Sequence, residues 1–179
     1  IDQTSQEAEK AGAIVFRHEN NQGKGIAIKT LFENALKMNA DISITIDGDG
    51  QFLPEEMDRL INMIESEKVD VVIGNRYGDK KEMPRYRKTG NKIFDKITKL
   101  ASNLPFQDTQ SGYRAYSKKA IESIKITTNG FGVDSEILVD AANKGLKISE
   151  VPVTVLYNTG QKTSTKNPIS HSSGVLSSL

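Results

Sequence analysis

The sequence predicts an α/β fold in which helices flank a mostly parallel sheet. Two apolar, β-branched runs, at residues 42–46 and 69–73, are typical of strands that are buried on both faces. Segments with the apolar spacing of amphipathic helices lie before and after these runs. Because helix and strand patterns alternate along the chain, we expect strands joined by helical connections in one parallel or mostly parallel sheet.

The residues before the first buried run are expected to form two helices separated by a short strand and a loop. Thr4 to Ala11 reads as a helix with Thr4 as N-cap, Glu7 at the capping-box spacing and Gly12 as its stop. The short strand is expected at residues 13–16, and the loop at 18–25. The second helix covers residues 26–38. Its apolar side consists of Ile28, Leu31, Phe32, Ala35 and Leu36.

The rest of the chain continues the alternation. Pro54 stands at a position where proline begins a helix at little cost. The buried stripe of that helix is expected to contain Met57, Leu60, Ile61 and Ile64. The later predicted elements are a helix at 91–104, a strand ending at 115–116, a short helix at 118–124, a helix at 135–144 ended by Gly145, and a strand at 147–157.

Composition excludes several classes of protein. A net charge of +1 lacks the basic excess of nucleic-acid binders, and the absence of Cys excludes disulfides and thiolate metal sites. No apolar run has the length of a membrane span, and the sequence pattern predicts no signal peptide within these residues. We expect one domain at 1–157 and a basic polar tail at 158–179. The start without Met and the helix-like apolar end predict a fragment of a longer protein.

The stretch from Asp47 to Gln51, Asp-Gly-Asp-Gly-Gln, directly follows the first buried run. In open α/β sheets, ligands bind beyond the carboxyl ends of the strands. Two carboxylates and an amide presented among glycines suit a hard divalent cation. Asp and Gly are also common in turns, so this stretch alone is equally consistent with a polar turn that ends a strand.

Further polar and basic groups follow the later predicted strands. They are Gly74-Asn75-Arg76, Arg85-Tyr86-Arg87, Asp108 with Ser111-Gly112-Tyr113-Arg114, and the tail with Lys162 and Lys166. Each has a structural explanation: a surface ion pair for Arg76, a solvated charge run for Arg85 and Arg87, a turn cap for Asp108. In combination, a cation site followed by arginines matches the needs of a diphosphate substrate, since arginine binds phosphate oxygens through paired hydrogen bonds.

Five segments, in order, resemble those of the family 2 inverting glycosyltransferases, in the dolichol-phosphate mannose synthase-like, or polyprenyl-phosphate glycosyltransferase, branch. The matching segments are Asn21-Gln22-Gly23-Lys24-Gly25-Ile26-Ala27, Asp47-Gly48-Asp49-Gly50-Gln51 with Pro54-Glu55, Gly74-Asn75-Arg76-Tyr77, Asp108-Thr109-Gln110-Ser111-Gly112-Tyr113-Arg114, and Gly145 to Val153. The third departs from the family's G-S-R-Y by carrying Asn75 in place of Ser. The resemblance extends over nearly the whole chain.

The resemblance implies a nucleotide-diphospho-sugar transferase, or GT-A, fold that lacks its N-terminal strand and part of the nucleotide pocket. It also implies inverting transfer of a hexose from a UDP- or GDP-sugar to polyprenyl (dolichyl) phosphate, with Mg²⁺ or Mn²⁺ as cofactor. The expected location is the cytoplasmic face of a membrane. An exposed sheet edge would allow a homodimer.

The resemblance also assigns roles to individual residues. The metal ligands would be Asp49 and Gln51, with Asp47 assisting or contacting the nucleotide. Arg114 would stabilise the departing diphosphate, and Asp108 would act as base or orient Arg114 or the acceptor. The residues expected to bind donor or acceptor phosphates are Lys24, Arg76, Arg87, Lys162 and Lys166, and Glu136 would lie near the cleft.

Two alternatives to this function remain open at this point. A family 2 transferase could use a saccharide hydroxyl as acceptor, which requires a true general base because a hydroxyl is not ionised at neutral pH. The chain could instead be a non-catalytic module that binds nucleotide. The Asp108 to Arg114 segment and the basic tail favour a lipid phosphate over a hydroxyl acceptor.

Overall fold

A computed structural model of the chain shows a mixed sheet with helices on both faces. The structure describes residues 3–77, 105–130 and 132–156. The helices are α1 (Thr4–Lys10), α2 (Lys24–Lys37), α3 (Met57–Glu67), α4 (Lys118–Ser123) and α5 (Val133–Asn143). The strands are β1 (Ile42–Thr45), β2 (Val71–Asn75), β3 (Arg114–Ser117) and β4 (Ile148–Pro152), and a 3₁₀ turn at Pro54–Glu56 precedes α3.

The sheet has the strand order β1-β3-β2-β4. Strands β2 and β4 pair in parallel, whereas β3 pairs antiparallel with both β1 and β2. Strands β1, β2 and β4 therefore run in one direction, with β3 inserted against it. The predicted α/β fold with a mostly parallel set of strands is confirmed. The reversed strand β3 was not predicted, because alternating hydrophobicity carries no information about strand direction.

Two apolar clusters cover the two faces of the sheet. On one face, Val71, Ile73 and Tyr116 pack with α2, α4 and α5. On the other face, Val72 and Ala115 pack with α3 and with the segment after β4. Because successive strand residues point to opposite faces, β2 contributes to both clusters, as its continuous apolar sequence predicts.

Several predicted details differ in the structure. Residues 13–16 form no strand, and no described strand lies beside them. The side chains of Ile14 and Phe16 are exposed, as is that of Leu31 on the predicted buried side of α2. The first apolar run is half-buried in β1, not fully buried. A strand requires a hydrogen-bonding neighbour, which an apolar pattern by itself does not supply.

The predicted helix ends are mostly within two residues of the observed ones. The N-cap of α1 is Gln3 and not Thr4, so the predicted capping box is wrong. Gly12 and Gly145 adopt positive φ values of 87° and 68°, as expected for residues that stop helices. The predicted helix at 91–104 lies outside the described residues. None of the described helices combines the length and apolar character needed to cross a membrane.

Asp70 joins three elements at the sheet edge opposite to the carboxyl ends of β1 and β2. Its carboxylate accepts hydrogen bonds from the backbone N–H of Lys147 at 2.9 Å, from Lys119 Nζ at 3.2 Å and from Ser117 Oγ at 3.4 Å. Burial acts to raise the pKa of Asp70, but these donors outweigh it and lower the pKa below its ordinary value of 3.8.

Replacing Asp70 with Asn is expected to destabilise the fold most at neutral pH. A carboxyl whose pKa is lowered by folding stabilises the protein above its unfolded pKa, and this contribution is lost as pH falls through the folded value. The difference in Tm between wild type and Asp70→Asn should therefore shrink below pH 3.8. Thermal melts across the acid range would measure it. Asp41→Asn, which removes an exposed carboxylate, is the control; an equal pH dependence in both variants would contradict the assignment.

Candidate functional site

The predicted site residues that follow β1 and β2 and precede β3 lie at one end of the sheet because of strand direction. Strands β1, β2 and β4 end at the same sheet edge, and the reversed β3 begins there. The loop before β3, which contains Asp108, therefore lies at the edge where Asp47 follows β1 and Arg76 follows β2. In α/β proteins this edge is the usual ligand site.

A chain of alternating charges runs from this edge into the protein. The ammonium of Lys24 donates a hydrogen bond to Asp134 Oδ2 at 2.8 Å and lies 3.6 Å from Asp47 Oδ1. The side chain of Asp134 is buried, whereas 45% of the Asp47 side chain is exposed. Burial acts to lower the pKa of Lys24, but the two carboxylates outweigh it and raise the pKa above 10.5. Lys24 is therefore a permanent cation at neutral pH.

Close backbone packing determines where Lys24 lies at the start of α2. The N–H of Gly25 donates to the carbonyl of Asn129 at 2.9 Å. A Cβ at Gly25 would be 1.7 Å from the carbonyl oxygen of Thr128, which no side chain could tolerate. Gly23 precedes the helix with φ of 92°, a conformation that favours glycine. These contacts explain physically why the segment around Lys24 is rich in glycine.

Glu136 stabilises the loop that makes this contact with Gly25. Its carboxylate accepts hydrogen bonds from the backbone N–H groups of Thr127 and Thr128, at 2.8 and 3.0 Å, and from the Thr127 hydroxyl. The loop that Glu136 holds in this way is the one that packs on Gly25. Glu136 was expected near the cleft. In the structure it binds the backbone of Thr127 and Thr128, and Thr128 packs against Gly25 beside Lys24.

Gly112 allows the carboxylate of Asp47 to lie directly against the loop before β3. A Cβ at Gly112 would be 2.3 Å from Asp47 Oδ2. The Thr45 hydroxyl donates to the carbonyl of Gly112 at 2.9 Å, which joins the end of β1 to this loop. The position of Asp47 therefore depends on a residue that is far away in sequence.

The turn after Asp47 is held by its own polar groups. Asp49 Oδ1 accepts the N–H of Gln51 at 3.1 Å, and Gly50 has φ of 69°. Gln51 is buried, and its carbonyl accepts the N–H of Leu156 at 2.9 Å. Within the described ranges, no three His, Asp or Glu side chains form a preformed metal cluster. The carboxylates of Asp47 and Asp49 nevertheless fit Mg²⁺ or Mn²⁺, because Mg²⁺ commonly uses one or two carboxylates together with substrate phosphates.

Arg114 is fully buried and is engaged by the backbone. Its Nη1 donates to the carbonyl of Asp134 at 2.9 Å, and its Nη2 donates to the carbonyl of Thr109 at 2.7 Å. The guanidinium thus ties the loop before β3 to the start of α5. In this arrangement Arg114 lies beneath the edge and has no exposed surface with which to contact a ligand.

Asp108 is also fully buried, and both of its carboxylate oxygens bind Arg76. Oδ2 accepts from the backbone N–H and the Nε of Arg76, each at 2.8 Å, and Oδ1 accepts from Nη2 at 2.7 Å. The side chain of Arg76 remains 18% exposed. The pair orients the guanidinium of Arg76 firmly at the sheet edge.

Glu150 on β4 extends this network. Its Oε1 accepts the N–H groups of Gln107 and Asp108, at 2.7 and 2.9 Å, and its Oε2 accepts from Asn75 Nδ2 at 3.3 Å. Asn75, the departure from the family pattern, also accepts the N–H of Tyr77 at 2.7 Å. The amide at this position therefore connects the end of β2 to the middle of β4.

Two important groups were not singled out from the sequence. Asp134 lies in a segment that reads only as the start of a helix, and no local pattern relates it to Lys24, which is 110 residues away in sequence. Glu150 was noted within a matching segment, but no role was given to it. Arg87, Lys162 and Lys166 lie outside the described residues, so their roles remain predictions.

Residues 1–125 match the family model described as Glycosyl transferase family 2. A UDP-N-acetylglucosamine–dolichyl-phosphate N-acetylglucosaminyltransferase of Methanococcus voltae is 36% identical over 149 residues, which cover 80% of this chain and 59% of the relative. A dolichyl-phosphate hexose transferase of Haloferax volcanii is 30% identical over 161 residues, which cover 89% of this chain and 68% of the relative.

A solved structure supports the fold. Glucosyl-3-phosphoglycerate synthase of Mycobacterium tuberculosis, crystallised with Mn²⁺, UDP and glucosyl-3-phosphoglycerate, superposes with a TM-score of 0.71 at 18% identity, covering 99% of this chain and 63% of that one. This similarity confirms the expected GT-A type of fold. Because the identity is 18%, the similarity is evidence for the fold alone. The chain spans between 50% and 67% of the length of three of its curated relatives.

Two glycine substitutions are expected to have different effects. Gly25→Ala places a methyl group on a backbone carbonyl, so it should lower the stability by about 1–3 kcal/mol or more, as overpacking does. The three atoms nearest to a Cβ at Gly112 all belong to the movable Asp47 carboxylate, so Gly112→Ala should leave Tm nearly unchanged and weaken Mn²⁺ binding. Thermal melts and Mn²⁺ titrations would measure both effects.

Gly130→Ala is the matched control for the pair, because nothing lies within 4 Å of a Cβ at Gly130, which is outside the Asp47–Gln51 segment. It should change neither Tm nor Mn²⁺ binding substantially. A large loss of stability in Gly112→Ala, or intact Mn²⁺ binding in that variant, would contradict the packing described for Asp47.

Proposed function

Since the chain belongs to glycosyl transferase family 2, we propose that it forms part of an enzyme that transfers a hexose from a UDP- or GDP-sugar to polyprenyl or dolichyl phosphate. The transfer inverts the configuration at the anomeric carbon. The names of the Methanococcus voltae and Haloferax volcanii relatives, both dolichyl-phosphate transferases, support this acceptor. The observation that carries the proposal is the charge chain Asp47–Lys24–Asp134 at the ligand edge of the sheet.

The donor side of the site would use the exposed carboxylates. Asp47 and Asp49 would hold Mg²⁺ or Mn²⁺, with Gln51 supporting the turn that presents them. The bound cation would neutralise part of the charge on the diphosphate that leaves. A structural relative that was crystallised with Mn²⁺ and UDP supports the use of a divalent cation.

Lys24 supplies a fixed positive charge next to these carboxylates. Its ammonium is held in place before any ligand arrives, so it requires little reorganisation when negative charge develops on a diphosphate oxygen. We assign Lys24 to the donor diphosphate on this ground.

The acceptor requires no strong general base, because a lipid phosphate is already ionised at neutral pH. The buried pairing of Asp108 with Arg76 supports a role for Asp108 in orienting Arg76 more than a role as base. The partly exposed guanidinium of Arg76, together with Arg87, Lys162 and Lys166, would then bind phosphate groups. Arg114 would shape the site by holding the carbonyls of Thr109 and Asp134.

The proposed location rests on the proposed acceptor. A polyprenyl phosphate lies in a membrane, and basic side chains such as Lys162 and Lys166 favour docking on an anionic membrane surface. We place the whole protein at the cytoplasmic face of that membrane. Homodimerisation through an exposed sheet edge is part of the same proposal.

The overall function can be tested by a donor screen on the full-length protein. UDP- and GDP-hexoses would be offered with Mn²⁺ and either polyprenyl phosphate or a free saccharide, and products would be identified by mass spectrometry. Sugar transfer to polyprenyl phosphate is expected. Transfer only to the saccharide would favour a hydroxyl acceptor, and nucleotide binding without transfer would favour a non-catalytic module.

Asp49→Asn is expected to reduce metal-dependent turnover by at least about 100-fold, comparable to the loss of a major electrostatic contact in an active site. The amide removes the negative charge that attracts the cation while keeping the shape of the side chain. Initial rates over a range of Mn²⁺ concentrations would measure the effect. The control is Asp41→Asn, which removes an exposed carboxylate at the other end of β1. Near wild-type turnover in Asp49→Asn would exclude Asp49 as a metal ligand.

Asp108→Asn is expected to reduce turnover through Arg76. If Asp108 acts by orienting Arg76, then Arg76→Met and the double variant should have the same turnover, because nothing is left to orient. Steady-state kinetics of the four proteins, including wild type, would measure this coupling. Independent, multiplicative losses together with a shift in the acid limb of the pH profile would instead support a base role for Asp108.

A further inference from the structure

Asp134 is buried at the start of α5, with 5% of its surface exposed, and is held through two of its groups. Its carboxylate accepts the ammonium of Lys24 at 2.8 Å, and its backbone carbonyl accepts Nη1 of Arg114 at 2.9 Å. A buried carboxylate is stable only when it is paired and hydrogen-bonded. Asp134 also lies beyond residues 1–125, the part of the chain that matches the family model.

The two distances from Lys24 differ in kind. The 2.8 Å contact with Asp134 is a charge-assisted hydrogen bond, whereas the 3.6 Å separation from Asp47 is beyond hydrogen-bond range. Asp134 therefore hydrogen-bonds the ammonium directly, whereas Asp47 interacts with it only electrostatically at the longer distance. The carboxylate of Asp47 is 45% exposed and pairs with the Lys24 ammonium only at 3.6 Å, without a hydrogen bond between them.

We propose that Asp134 is a positioning residue that keeps the Lys24 ammonium out of direct hydrogen-bonding contact with Asp47, so that Asp47 can bind a divalent cation while Lys24 faces the donor diphosphate. The inference rests on the proposed function, because it concerns the same metal and donor site. Without the negative charge of Asp134, the ammonium would move into direct contact with Asp47 and compete with the cation. Asp134 thus acts on the metal site through Lys24 and not by contact with ligand.

Substitutions of Asp134 and of Lys24 are expected to change Mn²⁺ binding in opposite directions. Asp134→Asn should weaken Mn²⁺ binding about tenfold or more, the size of effect typical for residues that orient metal ligands. Lys24→Met should strengthen Mn²⁺ binding, because Asp47 loses the cation that competes for it. It should also weaken UDP or GDP binding in the presence of Mn²⁺.

The test is a double-mutant cycle on the full-length protein, with free Mn²⁺ measured by electron paramagnetic resonance in the absence of nucleotide. In the Lys24→Met background, adding Asp134→Asn should change the Mn²⁺ affinity by less than about threefold, because the coupling through Lys24 is gone. An equal weakening by Asp134→Asn with and without Lys24 would overturn the proposal.

Asp140→Asn is the matched control, since Asp140 lies on the same helix and pairs with Lys144 at 2.6 Å. It should leave the Mn²⁺ affinity unchanged, and a weakening equal to that of Asp134→Asn would overturn the proposal. Circular dichroism would report whether Asp134→Asn folds. If Asp134→Asn does not fold, the Lys24→Met variant alone tests the proposal. Weaker Mn²⁺ binding by Lys24→Met than by wild type would overturn it.

Failure of the proposed function gives a separate result. If Asp49→Asn leaves Mn²⁺ binding intact, the metal site itself is wrong, whatever the behaviour of Asp134. If Mn²⁺ binding depends on Asp49 but the cycle shows no coupling between Asp134 and Lys24, only the positioning role fails.

Discussion

The site depends on the pairing of buried charges at the carboxyl edge of the sheet. Lys24 pairs with the buried carboxylate of Asp134 and, at 3.6 Å, with the exposed carboxylate of Asp47. The guanidinium of Arg114 binds the backbone carbonyl of the same Asp134. Removing one partner from such a set leaves a charge without compensation, which is costly at low dielectric. The backbone around these charges is closely packed. Gly25 and Gly112 occupy positions where an added methyl group would collide with a carbonyl or a carboxylate.

A second buried pair completes the edge. Asp108 and Arg76 share three hydrogen bonds, and Glu150 holds the backbone of the loop that carries Asp108. Both pairs use a buried carboxylate to orient a cationic side chain that is at least partly exposed. Oriented cations at one edge, together with the carboxylates of Asp47 and Asp49, form a surface that is complementary to a metal-bound diphosphate and a phosphate acceptor.

Much of the fold followed from the pattern of apolar residues. The runs at 42–46 and 69–73 overlap β1 and β2, the second with a shift of two residues, and the helical spacings at 26–38 and 57–64 correspond to α2 and α3. Gly12 and Gly145 end helices with positive φ. The failures have a common physical origin. Residues 13–16 have the composition of a strand but no described neighbour, and Leu31 has the spacing of a core residue but faces solvent, because pairing and packing depend on residues far away in the chain.

The sequence by itself determined the family, the order of the elements and which residue types stand at the ends of the strands, because short motifs and local periodicity are properties of neighbouring residues. The tertiary structure alone decided how those residues are used. By running against its neighbours, β3 brings Asp108 and Gly112 to the edge where β1 and β2 end. Lys24 and Asp134 meet across 110 positions of the chain, and such a pairing arises only when helices from distant segments pack on one face of the sheet.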